Sequence, residues 1–239
     1  MQLYSTTSQF DVSVVIPARN ESKYICRAIS SIANQKWPLN RVEVVVVDNG
    51  STDGTSEVAS ACASRFTGLN FSLLAENLRG RGRAKNLGAK FAKGRILIFM
   101  DADSYAAPNL VSTVMRYVAK GYPAGSIRVK ADSDHFIDCL FFDMMEYGKK
   151  HFGIRAQMGY FDQELFWRVG GFNESLEIAE DKDLFDRIIN LGVPTCHIME
   201  TWIATSPRRL HTLPLHLAVV TTFLRWALAH IGFGRRWVY

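Results

Sequence analysis

Residues 42–53 read VEVVVVDNGSTD, an apolar, mostly β-branched run that ends in a group of polar and acidic side chains. Continuous runs of this kind are typical of a parallel strand buried on both faces. The polar end, which begins at Asp48, predicts a loop at the carboxyl end of that strand, where open α/β sheets bind their ligands. This one stretch therefore predicts both the class of the fold and the position of a site.

The stretches on either side alternate strands with helices. Further buried strands are predicted at Val12–Ile16, Asn70–Ala75 and Arg95–Met100. The predicted helices are one capped by Ser22 that carries Ile25 to Ala33, then Thr55–Arg65, Gly82–Lys93 closed by Gly94, and Asn109–Lys120 opened by Pro108. This order predicts an α/β fold with a mainly parallel central sheet flanked by helices.

After Gly121 the alternation of strands and helices becomes irregular. We predict a strand at Ser126–Ala131, a helix at His135–Lys150, a helix at Lys182–Leu191 and a strand at Thr195–Met199. No repeat interrupts the chain, so a single domain over residues 1–239 is expected. Three parts are expected, at residues 1–104, 105–204 and 205–239, the last with a C-terminal helical segment.

Composition excludes several classes of protein. The 239 residues are 48% apolar and 21% charged, with 28 Lys and Arg against 23 Asp and Glu, the balance of an ordered and mildly basic globular protein. Apolar stretches are interrupted within a dozen residues and the first ten residues lack a signal pattern, which predicts a cytoplasmic protein. The four cysteines are widely spaced without a C-x-x-C pair, and we expect them to be unpaired in a reducing compartment.

Acidic and polar side chains follow three of the predicted strands. Strand one runs into Pro17–Glu21, strand two into Asp48–Asp53, and the strand at Arg95 into Asp101-Ala102-Asp103. Residues i and i+2 of an extended segment share a side, so Asp101 and Asp103 are expected to face one point. Mg²⁺ and Mn²⁺ favour one or two carboxylates together with substrate phosphates. Polar loops often follow apolar strands, but three acidic ends together predict a site.

Two common phosphate-binding motifs are missing. No G-x-G-x-x-G follows the first strand and no G-x-x-x-x-G-K-[ST] occurs, which argues against a dehydrogenase and a P-loop nucleotidase. Residues 79–85, RGRGRAK, place four cations at a predicted helix start, where backbone N–H groups also favour anions. The alternatives are a solvated basic loop and an RNA-binding patch. The absence of interleaved aromatic residues argues against nucleic acid.

A second acidic group, Glu180-Asp181-Lys182-Asp183, opens a predicted helix. Acidic residues in a first turn stabilise a helix through its dipole, and that structural role is one interpretation. The same dipole is expected to keep Asp181 ionised near neutral pH, as an acid/base role requires.

Taken together, these residues resemble the inverting family 2 glycosyltransferases of the GT-A (Rossmann-like) fold. The matching pieces occur in the family's order: VVIP at 14–17 with Asn20-Glu21, VDNGSTD at 47–53, KNLG at 85–88, DAD at 101–103, GGFNE at 170–174, and Glu180-Asp181 followed by Leu184 and Arg187. Each piece is weak alone, whereas their joint order and spacing are specific.

The resemblance implies an enzyme that transfers a sugar from a nucleotide diphosphate sugar to an acceptor hydroxyl by direct displacement, with Mn²⁺ or Mg²⁺ as cofactor. It implies a nucleotide-sugar half at residues 1–104, an acceptor and catalytic-base half at 105–204, and a mobile loop with a C-terminal segment at 205–239. The donor would be bound by Pro17, Arg19, Glu21, Asp48, Lys85, Asp101, Ala102 and Asp103. Lys85 stands where the family often has Arg. The metal would be held by Asp103 with Asp101, the acceptor framed by Gly171, Phe172 and Glu180, and Asp181 would be the catalytic base. Because Q-x-x-R-W is absent, transfer of one sugar is favoured over processive synthesis, within polysaccharide, glycolipid or cell-envelope glycan assembly.

The C-terminal residues carry two further expectations. TSPRRLH at 205–211 resembles a mobile loop that closes on the donor, where Arg208 and Arg209 would meet the diphosphate and His211 would add a metal ligand; a solvated basic loop is the alternative. Leu213 to Ile231 is apolar and is followed by Arg235-Arg236-Trp237. That pattern indicates peripheral contact with the inner face of a membrane, or docking on the core or on a partner subunit.

Two rival functions stay open at the level of the sequence. A sugar-1-phosphate nucleotidylyltransferase also uses an α/β fold and Mg²⁺, but residues 17–21 do not supply the Gly-rich loop of such enzymes. An inactive nucleotide-binding module is the other. The sugar, the nucleotide base, the acceptor and the oligomeric state are not indicated by the sequence.

Overall fold

A computed structural model describes residues 8–153, 155–176 and 178–211. Its strands are β1 (Phe10–Ala18), β2 (Val42–Asp48), β3 (Asn70–Ala75), β4 (Gly94–Phe99), β5 (Ser104–Ala106), β6 (Ala124–Ala131), β7 (Gly159–Asp162) and β8 (Thr195–Thr205). Its helices are α1 (Ile25–Ala33), α2 (Thr55–Ala63), α3 (Arg81–Phe91), α4 (Leu110–Ala119), α5 (Phe136–Phe152), α6 (Gln163–Arg168) and α7 (Glu180–Asn190).

The strands form one eight-stranded sheet in the order β3-β2-β1-β4-β7-β6-β8-β5. The first four strands are parallel to their neighbours, as predicted. In the second half, β7 is antiparallel to both β4 and β6, while β8 is parallel to β6 and antiparallel to β5 at the edge. The α/β class is therefore confirmed, and its parallel character is concentrated in the half that begins the chain.

Alternate residues of the buried strands build two cores, one on each face of the sheet. Val14 and Ile16 pack on the side of α1, whereas Val15 packs on the side of α3. At Gly88 of α3, a Cβ atom would lie 2.4 Å from Cγ1 of Val15, so glycine allows α3 to lie directly on the sheet. This close approach sets the height of Lys85, one turn earlier in α3.

Several local predictions were wrong, each for an identifiable reason. Ser22 does not cap α1, whose N-cap position is Tyr24; the Ser22 backbone N–H instead donates to Oδ2 of Asp53 (3.0 Å). Gly94 begins β4 rather than closing α3, because its missing Cβ admits the backbone of Ser13. Pro108 precedes the N-cap of α4. The short elements β5, β7 and α6 were not predicted, since three to six residues carry too little periodicity.

The expectation of four unpaired cysteines was also wrong. Cys26 of α1 and Cys62 of α2 form a disulfide with a Cα–Cα distance of 5.4 Å. The two helices pack side by side on the same face of the sheet, so a separation of 36 residues along the chain says nothing about their distance in space. Cys139 and Cys196 are free thiols.

Candidate active site

The loops that follow β1 and β2 are joined by hydrogen bonds into one polar rim. Oδ1 of Asn20 accepts from the backbone N–H of Thr52 (2.9 Å), and the N–H of Glu21 donates to Oγ1 of Thr55 (2.8 Å). Asp48, at the end of β2, accepts from the N–H of Ser51 (2.8 Å) and from the hydroxyl of Ser56. The structure thus brings Glu21 and Asp48 to one edge of the sheet, with the Arg19 side chain exposed beside them.

The Asp101-Ala102-Asp103 segment is a turn rather than an extended strand end. The N–H of Ser104 donates to the carbonyl of Asp101 (3.1 Å), which closes the turn, so the extended geometry expected for the two carboxylates was wrong. The carboxylates face different cations. Asp101 interacts electrostatically with Lys85, whereas Oδ2 of Asp103 lies 3.2 Å from Nη2 of Arg208.

Arg208 spans the rim from the other end of the chain. Its guanidinium forms ion pairs with Glu21 and Asp103 and lies 4.9 Å from the ring centroid of Tyr24. Oδ1 of Asp103 also accepts from Oγ1 of Thr205 (3.4 Å). A guanidinium therefore lies between two carboxylates from loops far apart in sequence. The carboxylates are suited to a metal ion, and the guanidinium is suited to a phosphate.

The densest charge cluster is built around Lys85. Its ammonium donates to Oε1 of Glu180 (3.0 Å) and to Oδ1 of Asp181 (2.7 Å), and it lies 4.7 Å from the ring centroid of Phe172. Lys85 is 4% and Glu180 2% exposed, so these charges are held almost out of water. A second cation, Arg81, lies 4.0 Å from Glu180. The structure therefore joins the basic stretch at 79–85 to the acidic group at 180–183.

Burial and charge pull the acidities in this cluster in opposite directions. Burial raises the pKa of Asp181 to about 6 against the opposing effect of the Lys85 ammonium, with Glu180 and Asp101 adding to the rise. Burial opposes the charge on Lys85, but the carboxylates of Asp181, Glu180 and Asp101 raise its pKa above the ordinary value. Burial also opposes ionisation of Glu180, yet Lys85 and Arg81 hold the pKa of Glu180 below its usual range. Burial, rather than the helix dipole, thus dominates the acidity of Asp181.

The GGFNE segment is anchored by an asparagine that sequence reasoning did not single out. Asn86 accepts from the N–H of Phe172 (2.9 Å) and donates to the carbonyl of the same residue (2.9 Å). Phe172 is 2% exposed, and its ring packs against the Lys85 ammonium. Arg187 holds the segment from α7, donating to the carbonyl of Gly171 (2.7 Å).

A surface recess of about 480 Å³ lies beside this cluster. Its lining contains Gly171 and Phe172 but neither Lys85 nor Asp181. The full set of lining residues is Asn86, Gly170, Gly171, Phe172, Asn173, Glu174, Asp183 and Arg187.

A second residue that the sequence analysis overlooked is Asn49. Its amide donates to the carbonyls of Glu76 and Leu78 (3.0 and 2.8 Å), and its Oδ1 accepts from the N–H of Gly80. Asn49 thereby ties the loop after β2 to the start of α3. Its position directly after Asp48 in a polar strand end was the available signal.

His211 does not contact Asp101 or Asp103, the two predicted metal ligands, in this structure. Its Nε2 lies 2.9 Å from Oδ1 of Asp138 in the first turn of α5. The Arg209 side chain and residues 212–239 lie outside the described residues, so the expectations placed on them are not addressed. Across the described ranges, no group of three or more His, Cys, Asp and Glu side chains is arranged around a common point. The carboxylates of Asp101 and Asp103 are of the type and number that Mg²⁺ or Mn²⁺ commonly takes from a protein.

The fold and the rim define an α/β protein with polar loops at the carboxyl ends of its parallel strands and a buried charge cluster beside them. The model of the Glycosyl transferase family 2 matches residues 13–156, more than half of the chain. The chain belongs to this family.

Individual relatives and solved structures agree with that assignment. Glycosyltransferase AglE of Haloferax volcanii is 38% identical over 92 residues, which are 38% of this chain and 30% of AglE. The poly(ribitol-phosphate) β-N-acetylglucosaminyltransferase TarS of Staphylococcus aureus is 38% identical over 93 residues, 39% of this chain and 16% of TarS. The matches thus span less than a third of these relatives' lengths.

Two solved structures show the GT-A glycosyltransferase fold. Mannosyltransferase PcManGT from Pyrobaculum calidifontis, in complex with GDP-Man and Mn²⁺, has a TM-score of 0.71 at 24% identity, covering 92% of this chain and 65% of that one. S. aureus TarS 1-349 in complex with UDP has a TM-score of 0.66 at 19% identity, covering 92% and 72%. At these identities the likeness establishes the fold. Within the described part of the chain, no helix has the length and apolarity needed to cross a membrane.

Proposed function

We propose that this protein transfers a sugar from a nucleotide diphosphate sugar to an acceptor hydroxyl, with inversion at the anomeric carbon. The observation that carries the proposal is the buried Lys85–Glu180–Asp181 cluster, which stands beside the Asp101 turn at the carboxyl ends of the strands. Family membership supports glycosyl transfer, and the GDP-Man and UDP complexes of the two structural neighbours support a nucleotide-linked donor.

In this proposal the donor nucleotide occupies the rim formed by the first two strand ends. Pro17, Arg19, Glu21 and Asp48 line the nucleoside pocket, and the turn at 101–103 lies under the diphosphate. Asp103, with Asp101, would hold Mn²⁺ or Mg²⁺, an assignment supported by the carboxylate donor set and by the Mn²⁺ in PcManGT. A divalent ion supplies charge neutralisation for the departing diphosphate. Arg208 and Lys85 add positive charge from the protein itself.

The proposed base is Asp181. Its pKa of about 6 leaves it mostly ionised at neutral pH, yet close enough to neutrality for it to accept a proton from the attacking hydroxyl. Lys85 holds the Asp181 carboxylate by a direct hydrogen bond, and the Phe172 ring packs against the Lys85 ammonium. The acceptor is proposed to approach past Gly171 and Glu180. Within this proposal the described residues act as a single catalytic domain.

The proposal is tested by a donor screen followed by a transfer assay. Thermal stabilisation is measured for UDP-, GDP- and dTDP-sugars, each with Mn²⁺, with Mg²⁺ and with chelator. The stabilising donor is then incubated with a panel of hydroxyl acceptors, and the anomeric configuration of the product is read by NMR. Product of inverted configuration is expected. Nucleotide-sugar synthesis from a sugar phosphate, or retention of configuration, would contradict the proposal.

The cytoplasmic location, and membrane contact through residues 213–239, stay predictions. That segment lies outside the described residues.

A further inference from the structure

A second buried charge network lies near the Lys85–Glu180–Asp181 cluster. The proposed sugar transfer does not use it. The ammonium of Lys149, on α5, donates to Oε1 of Glu146 (2.6 Å) and to Oε1 of Gln157 (2.5 Å). Oε2 of Glu146 lies 2.9 Å from Nε2 of His197, and Nδ1 of that ring lies 2.8 Å from the hydroxyl of Ser126. Lys149 is 2% and Glu146 3% exposed, so no solvent-facing role explains these charges.

The packing of α7 directs Asp181 towards this network. Phe185 follows Asp181 by one helical turn and therefore shares its face of α7. The Phe185 ring packs on Gly159 of β7, where a Cβ atom would lie 2.9 Å from Cζ of the ring. Gln157, the hydrogen-bond partner of Lys149, comes two residues before Gly159. Because β7 runs antiparallel to β4 with Tyr160 opposite Ile98, the chain before Gly159 leads towards Asp101, and Asp101 acts electrostatically on Asp181. The Asp181 carboxylate is therefore on the side of Gln157 and Lys149.

The electrostatics agree with this placement. Burial lowers the pKa of Lys149, while the charges of Glu146 and Asp181 oppose that fall. Glu146 is governed instead by burial, His197 and Lys149, so Asp181 acts more on Lys149 than on Glu146. Four charged groups thus face Asp181: Lys85 from α3, Glu180 beside it on α7, Asp101 from the turn after β4, and Lys149 from α5.

We propose that Lys149 is a positioning residue for the transfer reaction, a fixed buried cation that stabilises the ionised form of Asp181 in addition to Lys85. Lys85 is proposed to lie near the donor diphosphate. A diphosphate bound there competes with the Asp181 carboxylate for the Lys85 ammonium. Lys149 is removed from that competition because Glu146 and Gln157 hold it within the protein. The anionic form of Asp181 then keeps one cation that donor binding does not disturb. This inference rests on the proposed role of Asp181 as the base.

The test compares pH profiles of turnover in the full chain. In Lys149→Met, loss of a nearby positive charge disfavours ionised Asp181, so the acidic limb of the profile is expected to move up by about half to one pH unit. Lys149→Arg keeps the charge and is expected to retain the wild-type limb. Well above the limb, all three proteins should turn over at similar rates, with unchanged donor affinity.

Lys149→Met leaves the Glu146 carboxylate without its ammonium, which destabilises the fold. The double variant Glu146→Gln/Lys149→Met replaces the ion pair with neutral side chains of similar shape, a change that proteins often tolerate. It should show a smaller upward shift, because the more distant charge of Glu146 is removed as well. A limb that coincides with the wild type in Lys149→Met and in the double variant, whatever the melting temperature, would overturn the inference.

Asp181→Asn is assayed alongside. If it remains active, the proposed base is wrong and the inference falls with it. If Asp181→Asn is inactive and the Lys149 variants keep the wild-type limb, the base stands and only the role of Lys149 fails.

Discussion

Two buried lysines, Lys85 and Lys149, hold similar contacts in opposite electrostatic settings. Each donates to two side-chain oxygens at 3.0 Å or less. Lys85 faces two carboxylates in contact and a third nearby, so its pKa is raised. Lys149 has one carboxylate in contact and an amide, and burial lowers its pKa. The first cluster carries an excess of negative charge, whereas the second is nearly neutral.

The difference supports Asp181 as the reactive group. An excess of carboxylates in a buried place raises the pKa of one of them, and perturbed groups of this kind are concentrated at functional sites. A balanced pair such as Lys149–Glu146 is stable as it stands. The comparison therefore supports the proposal that the Lys85 cluster carries the reaction and that the Lys149 network positions it.

The largest expected effect comes from removing the perturbed carboxylate. Asp181→Asn should lower kcat by about 10²–10⁴-fold, the range for a lost general base, with donor affinity near that of the wild type. Because the base must be ionised, wild-type kcat should also fall as the pH drops below about 6, and this limb should vanish in the variant. Steady-state kinetics over pH 5–9 measures both effects.

The matched control is Asp186→Asn, on the same helix, whose carboxylate pairs with Lys182 at the surface. It should keep wild-type turnover. Activity retained in Asp181→Asn together with an inactive Glu180→Gln would assign the base to the neighbouring carboxylate.

The second expected effect concerns stability and its dependence on pH. Lys85→Met leaves Glu180 and Asp181 buried without their ammonium, and breaking a buried pair in this way typically costs about 3–5 kcal/mol. Lys85 lowers the pKa of Asp181, so its loss moves that pKa further above the unfolded value of 3.8. A carboxyl whose folded pKa is raised destabilises the fold at high pH, and the penalty disappears as pH falls through the folded pKa.

Denaturant unfolding at pH 8 and pH 5 measures this effect. The deficit of Lys85→Met should be large at pH 8 and much smaller at pH 5. Lys149→Met, which leaves one carboxylate beside His197, should show a smaller deficit at pH 8. Equal deficits for the two variants at both pH values would contradict the distinction between the clusters.

The smallest expected effect lies at the rim. Asp103→Ala should weaken the Mn²⁺-dependent binding of UDP or GDP by about tenfold or more, or roughly 1.4 kcal/mol, because one carboxylate ligand of a hard cation is lost. Calorimetric titration with Mn²⁺ and with chelator, in wild type and variant, measures it. The same affinity in all four titrations would remove the metal from the proposal. Thr205→Val, which changes only a weak contact to Asp103, is the matched control.

The sequence predicted the first half of the molecule well because its signals are local. Parallel buried strands are apolar runs in the sequence, and their carboxyl ends meet at one edge of the sheet. The sequence alone therefore predicts a common rim for Glu21, Asp48 and Asp101. The sequence did not reveal which side chains pair across that rim. Lys85 and Asp181 are 96 residues apart, and Arg208 and Glu21 are 187 apart.

Three features without a local sequence signal explain other errors. Antiparallel β7 and the edge strand β5 are too short to leave a period-2 pattern. The turn at 101–103 is closed by the hydrogen bond from Ser104. The i, i+2 spacing of Asp101 and Asp103 therefore wrongly predicted that the two carboxylates face one point. In the sequence, Glu146, Lys149 and His197 are isolated polar residues of a helix and a strand. They come together only when α5 packs on β6 and β8, so the sequence did not predict their network.

The pairing of β5 with β8 has a consequence for how the protein is made. Tyr105 of β5 lies opposite Ala204, and the N–H of Ser206 donates to the carbonyl of Asp103 (3.2 Å). During synthesis the strands β1 to β4 emerge early and can form their parallel sheet, but the segment after Asp101 has no strand partner until about a hundred further residues have left the ribosome. The nascent chain thus carries a polar rim that forms early, and the acidic turn of that rim is completed only when β8 pairs with β5 at the edge of the sheet.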